Sequence, residues 1–364
     1  MIDEKWYHYW WNSISGITNE KKKFLSKNKI LPGDIFYIEE TQKKYPFREW
    51  FTEAELEKIK NSRKQKEWEK EYLNLIKDGV KFICWDEEEY PKRLKTLSGM
   101  PYALWVNGNL PEEDGVTVAI VGARNCSPYG ERITLEIAEK LARAGVQIIS
   151  GMARGIDGSA HRGALNGEGS TYAVMGCGVD ICYPREHRGL YKDIQKSGGV
   201  LSEYHPGTPP LARNFPARNR IISGLADVVL VMEAKEKSGS LITADMALEQ
   251  GKDIYALPGP INSELSKGCN YLIRQGAGIL LGPEDILDEL CVKIGETSVN
   301  CLKNKKILES KEKIVYSNLG LFPKGLEELV QLTELKPQEL TGALLSLELN
   351  GFIKEISKNY YIRI

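Results

Sequence analysis

The sequence predicts an α/β protein built on a doubly wound, mostly parallel sheet, with a small helical domain before it and a domain of three helices and a hairpin after it. Three observations carry this reading. Between Val116 and about Leu290, five short apolar runs alternate with amphipathic stretches. All seven tryptophans fall before residue 106, so the amino-terminal segment has a composition of its own. Beyond a polar, lysine-rich stretch at 291–309 the apolar pattern resumes in a different order.

The elements follow in sequence. From Asp3 to about Lys77, Trp6, Trp10, Phe51, Leu56 and Ile59 recur at helical spacing beside a strongly charged Arg63–Glu71 stretch, which predicts short packed helices with one solvated face. Ile14-Ser15-Gly16-Ile17-Thr18 has the outline of a helix-hairpin-helix turn, but Thr18 stands where a second glycine would be needed. The segment is therefore read as a helical cap. The change in composition near Gly115 then marks the start of the sheet region. Val118–Val121, Val146–Ile149, Thr171–Met175, Val228–Met232 and Asp253–Leu257 lack in/out alternation, as parallel strands covered on both faces do. Between the first two, Ile133, Ile137 and Leu141 mark one face of a helix that Gly145 stops. Residues 291–309 read as a linker. Helices are expected at Lys311–Asn318, Leu326–Thr333 and Pro337–Leu349, then strands at Phe352–Ile356 and Tyr360–Ile364, the order of a winged helix.

Composition narrows the function classes. The 364 residues are 42% hydrophobic and 27% charged, which excludes a disordered or fibrous chain. Lys plus Arg number 49 against 50 Asp plus Glu, a net charge of −1, so a polyanion must be met by a local basic site. The seven cysteines (84, 126, 177, 182, 269, 291 and 301) include no CxxC pair and have no metal spacing to the four histidines. They read as reduced, buried thiols, and no metal is expected. No apolar run is long enough to span a bilayer, and the opening residues do not resemble a signal peptide, so a soluble cytoplasmic protein without a membrane partner is expected.

Function should reside in the loops at the carboxyl ends of the strands. Nearly all are glycine-rich: Gly122-Ala-Arg124, Ser150-Gly-Met-Ala-Arg-Gly155, Gly176-Cys-Gly178, Ser238-Gly-Ser240 and Pro258-Gly259. Such loops let a phosphate approach backbone amides at a helix amino end. The nucleotide cofactor fingerprints fail, however: the first loop is not GxGxxG, no GxxxxGK[ST] occurs, and no GxSxG or HExxH appears. No cofactor and no catalytic residue are expected, and His161, His187 and His205 are read as packing or capping residues. Between Glu203 and Asp227 there is no acidic residue, while Arg213, Asn214, Phe215, Arg218, Asn219 and Arg220 stand together. Guanidiniums beside an aromatic ring suit single-stranded nucleic acid, because the cations hold phosphates and the ring stacks an unpaired base. Arg124, Arg154 and Lys252, each beside a glycine loop, extend the basic set.

Gly122-Ala-Arg, Ser127-Pro-Tyr-Gly130, Ser150-Gly-Met-Ala-Arg-Gly-Ile-Asp157, Ala160-His-Arg-Gly-Ala-Leu165, Gly176-Cys-Gly178, Phe215-Pro-Ala-Arg-Asn-Arg-Ile-Ile222, Ser238-Gly-Ser-Leu-Ile-Thr-Ala244, Ala247-Leu-Glu-Gln-Gly251 and Gly268-Cys-Asn-Tyr-Leu-Ile273 together resemble the DNA processing protein A (DprA, or Smf) family. The resemblance covers about residues 80–290. It implies an extended Rossmann-like domain that forms a homodimer, binds and protects single-stranded DNA, and helps load a RecA-type recombinase in natural transformation. By the same resemblance, Arg124 holds a phosphate, Phe215 stacks or wedges a base, Arg218 and Arg220 line a positive pocket, and Ser238, Gly239 and Ser240 present amides. Lys252 adds a phosphate contact, and Arg213 takes a place where a lysine can stand in the family. Gly122, Arg154, Gly155, Asn214 and Asn219 complete the expected site. The expected domains are then 1–80 (small helical), 81–290 (Rossmann-like), 291–309 (linker) and 310–364 (winged helix). The third helix of the last, Pro337–Leu349, holds Glu339 and Glu348 and no lysine or arginine, so a protein contact suits it better than DNA. Two alternatives have different chemistry: a nucleotide phosphoribohydrolase-like enzyme using Ser238–Thr243, and a nucleotide-sensing winged-helix regulator.

Overall fold

A computed structural model of the chain describes residues 4–65, 67–290, 310–319, 324–333, 335–349, 352–357 and 359–363. It forms two compact units, 1–293 and 294–364.

The first unit is organised by a nine-stranded sheet. Its strands are β1 (Val80–Cys84), β2 (Ala103–Gly108), β3 (Thr117–Val121), β4 (Gln147–Ser150), β5 (Thr171–Val174), β6 (Gly199–Ser202), β7 (Val228–Val231), β8 (Asp253–Ala256) and β9 (Gly278–Ile279). Their spatial order is β1-β2-β6-β5-β4-β3-β7-β8-β9. From β6 to β9 every pairing is parallel, with Val118 of β3 flanked by Ile148 on one side and Val228 on the other. Helices such as Pro128–Arg143, Ile156–Asn166, Asn214–Leu225 and Gly239–Glu249 connect the strands and cover the sheet. Every residue of β3, β4, β5, β6 and β7 is buried, as their unbroken apolar sequences require.

The composition change near Gly115 is not where the sheet begins. β1 and β2 precede it and join the sheet through antiparallel pairs, β1 to β2 and β2 to β6. The amino-terminal helices, starting with Lys5–Ser13, share a core with them: Tyr9, Trp10 and Trp11 are buried in one cluster with Phe82, Trp105 and Val200. Tyr9 meets the Trp105 ring edge-on at 5.2 Å, and its hydroxyl lies 2.7 Å from His205 Nε2. Burying a Phe-sized side chain contributes roughly 1.5–3 kcal/mol, so this aromatic seam is a substantial share of what holds the helices down. Gly16 has φ +82° and lies in an exposed turn, while the Thr18 hydroxyl accepts from Lys21 N to cap the next helix.

The unit at 294–364 contains helices Ser310–Asn318, Leu326–Thr333 and Pro337–Leu349 and a small antiparallel sheet. β11 (Ile353–Ser357) and β12 (Tyr360–Arg363) form the wing, and β10 (Lys324–Gly325), which the apolar pattern does not reveal, pairs with β12. Val315, Leu329, Leu340, Leu344 and Ile353 are among its core residues. The expected linker, 291–309, lies outside the described residues.

Among the described residues no helix is long and apolar enough to cross a membrane. Cys84, Cys177 and Cys269 are buried free thiols; Cys126 and Cys182, expected to be buried, are only half-buried, and Cys291 and Cys301 lie outside the described residues. His161 is fully buried against Thr171, and His187 faces the carbonyl of Met152.

Candidate nucleic-acid interface

The strand order reverses direction between β3 and β7, so the loops leaving their carboxyl ends diverge and open a crevice. A cavity of about 540 Å³ lies there. Arg124 and Asn125 come to it from the loop after β3, Ala153 and Asp157 from the segment after β4, and Lys235, Lys237 and Ser238–Ser240 from the segment after β7. Phe215, Arg218 and Asn219 project from the helix Asn214–Leu225, and Tyr183 comes from the loop after β5.

The wall is electropositive. Arg124, Arg218, Lys235 and Lys237 line it, and among the described lining residues Asp157 is the single carboxylate. Asp157 is 7% exposed and accepts from Ala153 N at 3.3 Å. Burial raises its pKa, an effect opposed by Arg218 and Arg124. Arg218 is 3% exposed, and burial pulls its guanidinium down to about 10 against the opposing field of Asp157. It donates to the carbonyls of Gly151, at 3.0 Å, and of Val174, just past β4 and at the end of β5. Arg218 thus ties the crevice floor together, whereas Arg124, Lys235 and Lys237 are exposed.

Phe215 sits in the middle of this charge. Arg124 and Arg218 lie over its ring at 5.5 Å and 5.9 Å, and Gly176 leaves the ring its room, since a Cβ there would come within 3.0 Å of Phe215 Cδ1. Asn214 is buried and donates to the Gly176 carbonyl at 3.1 Å, which fixes the start of the same helix. Gly155 takes φ +67°, and a Cβ there would lie only 2.4 Å from the Ala123 carbonyl oxygen, so a glycine is needed for the Arg124 loop to pack this close. Gly122 lines the cavity beside it. At the loop's far end Ser127 donates its N–H and hydroxyl to the buried Glu233 carboxylate and caps the helix Pro128–Arg143. Across the cavity Ser238 caps Gly239–Glu249 by accepting from Ser240 N, and this amino end of the helix lines the cavity, where the helix dipole favours an anion.

Of the residues singled out from the sequence, Gly122, Arg124, Phe215, Arg218, Asn219, Ser238, Gly239 and Ser240 line the cavity. Arg154 borders a smaller adjoining recess and is ion-paired with Glu186. Asn214 and Gly155 support the wall from behind. Three residues differ from expectation. Arg220 does not line the cavity: its guanidinium makes a two-pronged 2.6 Å ion pair with Glu203 and binds the Gly99 carbonyl. Lys252 precedes β8 and so lies at the amino ends of the strands, the opposite edge of the sheet, with Asp227 and Arg93 near it. Arg213 is exposed at the amino end of its helix and outside the cavity wall. Sequence reading missed Lys235, Lys237 and Tyr183. The two lysines were signalled by their place directly before Ser238, while nothing local to Tyr183 links it to Phe215.

Residues 81–291 match the DNA recombination-mediator protein A family, and 303–357 match the DprA winged helix domain. The chain is 49% identical over 220 residues to Protein Smf of Escherichia coli K12, covering 57% of this chain and 59% of that protein. It is 43% identical over 218 residues to the DNA processing protein DprA of Streptococcus pneumoniae R6 (59% of this chain, 77% of that one). To Protein Smf of Synechocystis it is 33% identical over 309 residues, covering 75% and 78%. In three dimensions it is similar to the X-ray structure of DprA from S. pneumoniae, with TM-score 0.66 and 34% identity over 78% of this chain and 97% of that one. It is also similar to a Helicobacter pylori DprA described for its single-stranded DNA binding mode, with TM-score 0.53 and 32% identity over 58% and 95%.

Proposed function

Because this chain belongs to the DNA recombination-mediator protein A family, we propose that it binds single-stranded DNA in the crevice between β3 and β7. The observation that carries the reading is Phe215, an aromatic ring set among Arg124, Lys235 and Lys237 at the carboxyl edge of the sheet. Cations on such a groove hold phosphates without regard to sequence, and the ring stacks a base, a contact worth about 1–3 kcal/mol. The amides at Ser238–Ser240 add a fixed positive end for a backbone phosphate. The protein acts in the cytoplasm as a homodimer through its Rossmann-like domain, protects incoming strands during transformation, and passes them to a RecA-type recombinase. It is not an enzyme in this reading: Asp157, the one lining carboxylate among the described residues, is buried and already engaged.

Gel shifts with short single-stranded and duplex oligonucleotides over a salt series test this. Tighter binding to the single strand and an affinity that falls with salt are expected, since phosphates neutralised by the protein release counterions. Equal affinity for both forms, or no salt dependence, overturns the proposal.

A further inference from the structure

Phe215 has an aromatic neighbour that belongs to no sequence motif. The Tyr183 ring lies 5.5 Å from it at 45°, and although the two rings touch, Tyr183 remains 40% exposed. Phe215, by contrast, is half-buried, engaged by both arginines and seated close to Gly176. Tyr183 borders both the main cavity and an adjoining recess of about 50 Å³. Its backbone is held on either side: Pro184 is buried, the Cys182 thiol donates to the Pro184 carbonyl, and the following turn is anchored by His187 against Met152. A ring exposed at a cavity mouth on a fixed backbone presents apolar area at low entropic cost.

The charges around the two rings differ. Arg124, Lys235 and Lys237 leave the main cavity positive, which suits phosphates. Arg124 borders the recess beside Tyr183 as well, but the cation added on that side, Arg154, is neutralised by Glu186 through a two-pronged ion pair. An exposed ring whose own neighbouring cation is already paired suits a nucleobase better than a further phosphate. We propose that Tyr183 is a second stacking residue, which takes the base adjacent to the one on Phe215 while the phosphates run along the lysine side of the crevice. The proposal rests on the single-strand reading above and specifies how many bases the site grips.

The test uses the full chain and oligo(dT), with binding followed by fluorescence anisotropy at several salt concentrations. Tyr183→Ala is expected to weaken binding about tenfold without changing the salt slope, because a ring neutralises no phosphate. Tyr183→Phe is expected to bind like the parent, and Tyr183→Leu to bind like the alanine variant. Thermal melting reports whether each variant is folded, and if the alanine variant is not, the Phe and Leu variants decide. Parent-like binding by the Leu or Ala variant overturns the second subsite while leaving the single-strand reading in place. Equal losses in the Phe and Ala variants replace stacking by a hydroxyl contact and also overturn it. A parent protein that does not bind oligo(dT) overturns the underlying reading instead.

Discussion

The Arg124 guanidinium lies over the ring of Phe215, 5.5 Å from its centroid. Each side chain therefore holds the other's orientation, a cation–π contact worth about 0.5–1 kcal/mol at an exposed site. Arg124→Ala should lower the salt slope of single-strand binding by about one, and Phe215→Ala should cost about 1–3 kcal/mol with the slope unchanged. Because the two groups touch, the double variant should differ from the sum of the single ones by about 0.5 kcal/mol or more. Anisotropy titrations of the four proteins check this; strict additivity means the residues act independently.

Arg220 and Lys252 are expected to behave unlike Arg124. Arg220 and Glu203 keep only 17% and 13% of their side chains exposed, so Arg220→Met strands a mostly buried carboxylate and should destabilise the protein by about 3 kcal/mol. Among folded molecules its affinity for single strands should stay within about twofold of the parent's, well under the 1.4 kcal/mol of a tenfold change. Lys252→Met should leave both stability and binding near parental values. A drop of one in the salt slope for either variant would put that residue back on the strand's path.

Residues 1–299 should bind single strands nearly as tightly as the full chain. The third helix of the tail carries Glu339 and Glu348, with Glu339 ion-paired to Lys311 at 2.9 Å, and offers no cation to a phosphate. A tenfold weaker affinity of the truncated but folded protein, about 1.4 kcal/mol, would assign DNA contact to the tail.

Lys22 gives a pH dependence that can be isolated. It is 3% exposed, donates to the Asn12 carbonyl and lies over Trp11 and Tyr102, and burial lowers its pKa to about 7 from an ordinary 10.5. Between those two values the unfolded chain binds more protons than the folded one, so stability rises with pH. The favourable share is complete above about 10.5 and is lost as pH falls through 7. Lys22→Met should therefore be stabilising at pH 6, with the difference from the parent shrinking as pH rises to 10. Urea unfolding of both proteins at pH 6, 8 and 10 measures this; a constant difference would show that Lys22 is charged throughout.

The parallel centre of the sheet was legible because β3, β4, β5, β7 and β8 are short apolar runs between glycine loops, and that pattern has few other solutions. β1, β2 and β6 were not. Trp105 and its neighbours pair antiparallel with β6 across a long stretch of chain, and β9 is only two residues long. The lining of the crevice was legible where chemistry and position along the chain coincide, as at Arg124, Phe215 and Ser238–Ser240. It was not legible where a cation near a glycine in the sequence lies away from the crevice in the fold. Gly251 and Lys252 stand at the start of a strand rather than its end, and Arg220, two residues beyond Arg218 and so turned to the other side of the helix, faces Glu203 instead of the crevice.

The helix that carries Tyr9 lies outside the stretch matched by the DNA recombination-mediator protein A family, which begins at residue 81. Yet Tyr9 covers Phe82 and Trp105, the first aromatic side chains of the sheet, and reaches His205 beyond them. A fragment cut at the family boundary would turn this seam into a wet aromatic face, the kind of surface that draws copies of a protein together. The stretch covered by the family match and the stretch that packs as one core are thus different lengths of chain, and an expression fragment for this protein has to begin with the tryptophan-bearing first helix rather than at residue 81.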